Sequence, residues 1–183
     1  MDYRSIIEKY FKNNEKAQTI YLTHVTLVTQ KSLEIAMSLN LGDESIKFIE
    51  EAGMLHDIGC CKVDFKEMNC YGNLPYICHM TEGHKILENE GFPKHARVAS
   101  THTGVGIWKE DIEAENLPLE MRDYFAESIE EKIISYADLF FSKNVDRLFE
   151  IKTPKQIVEM LKKHNLSEKK IERFKDWHRD FSK

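Results

Sequence analysis

No apolar run in this 183-residue chain approaches the roughly 20 residues needed to cross a bilayer, and the opening Met1-Asp2-Tyr3-Arg4 is not a signal peptide. The expected location is therefore the cytoplasm. Positive charge is not in excess either. Lysine and arginine number 26 against 31 aspartates and glutamates, and the formal charge of -5 gives no support for bulk nucleic-acid binding, although local basic patches remain open. The four cysteines, Cys60, Cys61, Cys70 and Cys78, fall in one short segment without a C-x-x-C spacing. Adjacent Cys60 and Cys61 make a poor disulfide, so a zinc ribbon or disulfide framework is not indicated and reduced, structural thiols are expected. Glycine and proline are scarce, at 8 and 4 residues, and no convincing strand alternation, repeat or low-complexity segment interrupts the chain. With 42% apolar and 31% charged residues, these absences predict an all-α protein with one domain over 1–183.

Helical periodicity fills most of the sequence. Residues 3–12 form a short amphipathic helix with Ile6, Ile7, Tyr10 and Phe11 inward. A longer helix over 17–39 carries the stripe Ile20, Tyr21, His24, Leu27, Val28 and ends at Leu41-Gly42. Asp43 is the expected N-cap of the next helix, whose apolar side runs down to Met54-Leu55-His56-Asp57-Ile58-Gly59. Periodicity fails over 60–78, which reads as an irregular loop, and returns over 79–90 and in a helix opening at Pro93. Residues 104–127 read as a surface excursion or lid. A helix is expected over 128–143, then one opened by the capping box Thr153-Pro154-Lys155-Gln156 and a last one capped by Ser167. The apolar face Phe174, Trp177, Phe181 of that last helix packs either inward or against a second copy of the chain.

Several polar residues sit on apolar faces. His56 and Asp57 are adjacent at a helix end, where their side chains can converge and hold a divalent cation if other ligands reach them. His24 lies within an apolar stripe. Asp138 does too, among Ile134, Ala137 and Phe141, and an unpaired carboxylate there would cost several kcal/mol. His79, His84, His95 and His102 cluster between these points, and spacing alone does not choose among them. His164 and His178 read as surface residues.

A helical histidine, a His-Asp-Ile-Gly run and a distant Tyr-Ala-Asp together resemble the HD-domain superfamily of metal-dependent phosphohydrolases, over about residues 18–145. His79-Met80-Thr81-Glu82-Gly83 and His102-Thr103-Gly104 are similar to the extra histidines of the subset that carries a second metal. The resemblance implies an all-α, HD-domain-like helical bundle with a central metal site. It further implies His24, His56, Asp57, His79, His102 and Asp138 as metal ligands, with residues 153–183 as a helical extension. The chain departs from several relatives directly after Gly59, where they have lysine and it has Cys60. Lys62, two residues on, is then the candidate for that lysine's catalytic role beside Asp57.

The implied activity is hydrolysis of a phosphate ester or anhydride of a nucleotide or related phosphorylated metabolite by a hydroxide held on one or two divalent metals. Iron, manganese, cobalt or nickel suit mixed imidazole and carboxylate ligands, with zinc or magnesium as further options. Lys62, Lys109 and Arg122 are candidate phosphate contacts, and Trp108 is a candidate stacking partner for a base. Two other readings stand beside this one: a metal and nucleotide-binding module without turnover, and a di-iron oxygenase of the same superfamily.

Overall fold

The computed structural model describes residues 1–182, so the last position of the expected 153–183 extension lies outside the described residues. Among the described residues the chain is helical almost throughout, with a single two-stranded hairpin. Helix α1 (Tyr3–Phe11) starts where the Asp2 carboxylate accepts from the Ser5 N–H, and it buries Ile6, Ile7 and Phe11. Helix α2 (Glu15–Ser38) is capped by Asn14, which accepts from the Ala17 N–H. Asn40, in the left-handed region at φ +54°, ends it, so the break comes before the expected Leu41-Gly42. In α3 (Asp43–Leu55) the cap position belongs to Gly42 rather than Asp43. Asp43 is the first helical residue, where its charge faces the positive end of the helix.

The segment expected as irregular loop is a chain of tight turns instead. A 3-10 turn over Ile58–Lys62 leads into strand β1 (Asp64–Phe65), a second over Lys66–Met68 joins it to the antiparallel strand β2 (Cys70–Tyr71), and a third, Tyr76–Cys78, follows. Val63, Met68 and Cys70 are buried in it, but short turns of alternating type leave no period to read. Helix α4 (His79–Asn89) and helix α5 (Pro93–Thr101), with proline in its first turn, come next.

Residues 104–127 have many exposed positions, as a surface excursion would, but are anchored by buried ones. Gly104 and Gly106 take positive φ, Ile107 and Tyr124 exchange backbone hydrogen bonds of 3.1 and 2.9 Å, and Val105, Ile107, Ile112, Tyr124 and Ala126 are buried. Within this segment α6 (Lys109–Glu115) is tied to the last helix by a buried Asp111–Lys170 ion pair of 2.9 Å. Helix α7 (Ile129–Asp138), capped by Ser128, is shorter than expected and stops at Asp138; Phe140 and Phe141 are buried from the loop beyond it. Helix α8 (Pro154–Leu161) has the expected capping box. Helix α9 (Ser167–Phe181) begins after left-handed Leu166, which takes the cap position expected of Ser167.

Apolar burial forms two main clusters. One joins the C-terminal half of α2 to α3, α7 and α9, and it includes Phe174, Trp177 and Phe181, which therefore pack inward against Tyr136 and Phe140. The other joins α1, the N-terminal half of α2, the first 3-10 turn, α4 and α5. His24 falls between Tyr21 of the second cluster and Val28 of the first, on the seam between them. No helix among the described residues is long and apolar enough to cross a membrane.

Candidate metal centre

Most of the polar side chains on this seam come from helix ends. His24 projects from the middle of α2, but His56 closes α3 with Asp57 directly after it, His79 opens α4, His102 closes α5 and Asp138 ends α7. A side chain at a helix end can lean past the final turn, so several helices can aim at one point without their backbones colliding. Three of the histidines are oriented in the same way. The Nδ1 atoms of His56, His79 and His102 face the carbonyl oxygens of Gly53, Tyr76 and Ala99, three residues back, at 2.6, 2.7 and 2.9 Å. With Nδ1–H donating, each Nε2 presents its lone pair to the interior.

Those lone pairs meet carboxylate oxygens. Asp57 Oδ2 lies 3.2 Å from Nε2 of both His24 and His56, while Oδ1 lies 3.4 Å from His79 and 3.1 Å from His102. Asp138 Oδ1 is 3.0 Å from His24 and 3.6 Å from His56. The donors thus form two groups, His24–His56–Asp57–Asp138 and Asp57–His79–His102, each able to hold a metal ion and sharing Asp57. Both oxygens of Asp57, both ring nitrogens of His24 and Nε2 of His56 are buried without a hydrogen-bond partner. Unanswered acceptors at this depth are unfavourable by several kcal/mol. A cation between them removes that cost, and mixed imidazole and carboxylate donors suit a divalent transition metal, so the residues fit the implied group.

One cation is already part of the arrangement. The Lys143 ammonium, from the loop after α7, lies 2.9 Å from Asp57 Oδ2 and donates a hydrogen bond of 3.4 Å to Asp138 Oδ1. Burial alone would raise both carboxyl pKa values. The Lys143 charge, with the histidines beside it, holds Asp57 and Asp138 well below the usual carboxylate range. Burial works against a charged lysine as well, but the two carboxylates raise the Lys143 pKa well above its ordinary value. The two histidine groups diverge. Burial opposes protonation of His56, yet the Asp57 and Asp138 charges push it up to about 9. Burial carries His79 down to about 3, with His102 and Lys143 adding to the effect against the opposing pull of Asp57.

Gly59 sets the approach of the first 3-10 turn to α4. A Cβ there would stand 2.0 Å from the His79 carbonyl oxygen and 2.4 Å from the Gly83 nitrogen, both backbone atoms that cannot move aside. Only glycine lets the turn carrying Asp57 press against the first turn of α4, where His79 begins. Cys60, which follows, is fully buried with Leu55, Ile58 and Met68, and burial raises its thiol pKa well above the ordinary value. All four cysteines are free thiols.

A cavity of about 500 Å³ reaches Asp138 and is lined by Tyr76, Ile107, Leu139, Phe141, Lys152 and Met160 among others. A second, of about 260 Å³, includes Lys143 and shares Tyr76, Phe141 and Lys152 with it. A third, of about 520 Å³, lies between α1, α2 and α3 and touches no residue of the cluster.

The substrate contacts expected from sequence lie elsewhere. Lys62 is exposed at the end of its 3-10 turn, and the ammonium found beside Asp57 belongs to Lys143. Exposed Lys109 uses its backbone N–H to bond Asp123. The Arg122 guanidinium lies 4.0 Å over the Tyr124 ring and bonds Glu120. Trp108 packs edge-on against Phe125, with Arg173 over its ring. None of the four lines either cavity at the cluster. His84 faces the Ala96 carbonyl and His95 pairs with Glu51, so neither joins the cluster. His164 is exposed, as expected, at the rim of the cavity that reaches Asp138, whereas His178 is half-buried and hydrogen-bonds the Tyr136 hydroxyl.

Helices that bring paired His and Asp ligands to one central point define a known class, and the HD domain model matches residues 21–143, a span that contains all six side chains. The chain belongs to the HD domain family. Among individual proteins it is 34% identical over 128 residues to MJ0778 of Methanocaldococcus jannaschii, covering 67% of this chain and 68% of that one. It is 29% identical over 170 residues to a tRNA (cytidine(56)-2'-O)-methyltransferase of Picrophilus torridus, covering 92% of this chain but only 43% of that protein, so it spans less than half of that relative. The HD domain of the Listeria monocytogenes phosphodiesterase PgpH has the same fold, with a TM-score of 0.56 at 18% identity over 94% of both chains. The same domain in complex with cyclic-di-AMP gives 0.55, again at 18% identity, covering 94% of this chain and 93% of that one.

Proposed function

We propose that the chain is a metal-dependent phosphohydrolase acting on a phosphate ester or anhydride of a nucleotide or related phosphorylated metabolite. The observation that carries this reading is the division of Asp57 between two donor groups, one oxygen facing His24 and His56 and the other facing His79 and His102. His24, His56, Asp57 and Asp138 would hold one ion and Asp57, His79 and His102 a second. Manganese, iron, cobalt or nickel suit these donors best, with zinc or magnesium as further options. Divalent ions bound there supply Lewis acidity, which acidifies water and offsets charge on phosphoryl oxygens.

The chain's own groups do the rest. Gly53, Tyr76 and Ala99 hold three imidazoles in register through their carbonyls. The apolar packing of α2, α3 and α5 keeps bulk water from the donors, and the larger cavity has room beside Asp138 for a group the size of a nucleoside. Its lining is mostly apolar, as a base requires, with Lys152 at its edge. The cyclic-di-AMP bound by the PgpH domain supports a nucleotide phosphate as substrate.

The test is metal analysis of protein purified without added metal, followed by phosphate release from a panel of nucleotide mono-, di- and pyrophosphate esters. Metal-dependent release is expected. Nucleotide-induced thermal stabilisation without any release would replace this reading with a binding module, and metal-dependent oxygen consumption would replace it with an oxygenase.

A further inference from the structure

Several relatives have a lysine directly after His-Asp-Ile-Gly, a position that falls in the middle of the first 3-10 turn. Here that position is Cys60, buried in apolar packing, and the nearest lysine in sequence, Lys62, is exposed. The ammonium at the cluster comes from another element. Lys143 is five residues past Asp138, and its backbone is pinned by what surrounds it. Phe140 and Phe141 are buried on one side, the Lys152 N–H donates to the Phe140 carbonyl at 2.8 Å, and the Lys152 ammonium bonds the Phe141 carbonyl at 2.5 Å.

The side chain is 10% exposed and spans two environments. Its Nζ touches Asp57 Oδ2 and Asp138 Oδ1, one oxygen from each carboxylate of the first donor group. It also lines the smaller cavity with Phe65, Tyr76, Phe141 and Lys152. An ammonium has three N–H donors; Asp57 Oδ2 at 2.9 Å and Asp138 Oδ1 at 3.4 Å take two of them, and one remains for a ligand oxygen. Glu67 is the one carboxylate among the residues lining that cavity.

We propose that Lys143 is a substrate-contacting residue whose ammonium holds a phosphoryl oxygen at the mouth of the metal centre, while its contacts with Asp57 and Asp138 fix its position. This rests on the phosphohydrolase reading. It assigns to the loop after α7 the role that position 60 does not fill.

The experiment uses the full chain loaded with Mn²⁺, with inorganic phosphate as probe, both followed by calorimetry. The wild type is expected to bind Mn²⁺ and then phosphate. Lys143→Met, which keeps the length and loses the charge, is expected to bind Mn²⁺ at least as tightly, because a competing cation has gone. Its affinity for phosphate should fall about tenfold or more, as loss of one charge-assisted hydrogen bond requires. Lys143→Arg should recover most of that loss. Lys143→Gln, polar and neutral, carries the same expectation as methionine if methionine prevents folding. Unchanged phosphate affinity in the neutral variant, with Mn²⁺ binding intact, overturns the assignment and leaves the metal reading standing. A wild type that takes Mn²⁺ but no phosphate does the same, whereas a wild type that takes no Mn²⁺ overturns both.

Discussion

The two donor groups that share Asp57 are built differently. Asp57–His79–His102 has two imidazoles, both held by backbone carbonyls, and burial keeps His79 neutral down to about pH 3. His24–His56–Asp57–Asp138 has two carboxylates, an imidazole whose Nδ1 has no partner, another whose pKa is pushed up to about 9, and a lysine in contact with both acids. The group with His79 and His102 is set in place by the backbone and has Asp57 as its one carboxylate. The group with His24 and His56 carries two carboxylates, and it meets their charge with a proton and an ammonium where a dication would serve better. One carboxylate joins two sites of opposite character, so a change on one side need not disturb the other, but a change at Asp57 must disturb both.

The largest expected effect follows from that. Asp57→Ala removes a donor from both groups and should lower phosphate release by about a thousandfold or more, because the acidification of metal-held water is lost with the metal. Rates on the best ester of the panel, with circular dichroism to confirm folding, check this. His102→Ala separates the two groups. Metal affinity at the second should fall by more than the about 10- to 100-fold that loss of a partner behind a ligand costs, while the first keeps its ion, a change from two ions per chain toward one by elemental analysis. Gly59→Ala forces a Cβ onto the His79 carbonyl and should destabilise the fold by about 1–3 kcal/mol in urea unfolding, weakening the second group more than the first. The smallest effect belongs to His95, on the same helix as His102 but paired with Glu51. Burial lowers its pKa, so the unfolded chain takes up this proton more readily, and the associated stability is present above about pH 6.5 and lost as pH falls below it. His95→Gln should flatten the fall of melting temperature below pH 6.5 and leave the metal count unchanged.

The sequence made the first group more legible than the second. His24 and Asp138 stand out as polar residues inside apolar stripes, and His56-Asp57 as a pair at a helix end. Four histidines between 79 and 102 looked alike until a family resemblance chose His79 and His102, because what separates them is the carbonyl three residues back and the direction each helix points. Lys143 was invisible for a simpler reason. A lysine at the end of the helix expected over 128–143 reads as solvated, and only the early stop of α7 at Asp138 and the burial of Phe140 and Phe141 turn it inward; five residues past an inward-facing aspartate is the one available signal. The fold was read on the same terms. Helices with a steady period are legible with their ends shifted by one or two residues, apart from α7, which stops at Asp138 instead of 143, whereas 60–78 and 104–127 hide ordered structure in turns too short to show a period.

The most direct test is a Mn²⁺ titration of chelator-stripped protein, wild type against Asp57→Ala, read as ions bound per chain. Two groups joined at Asp57 predict two ions in the wild type and the loss of tight binding at both sites in the variant. A variant that still binds Mn²⁺ as the wild type does would contradict the account.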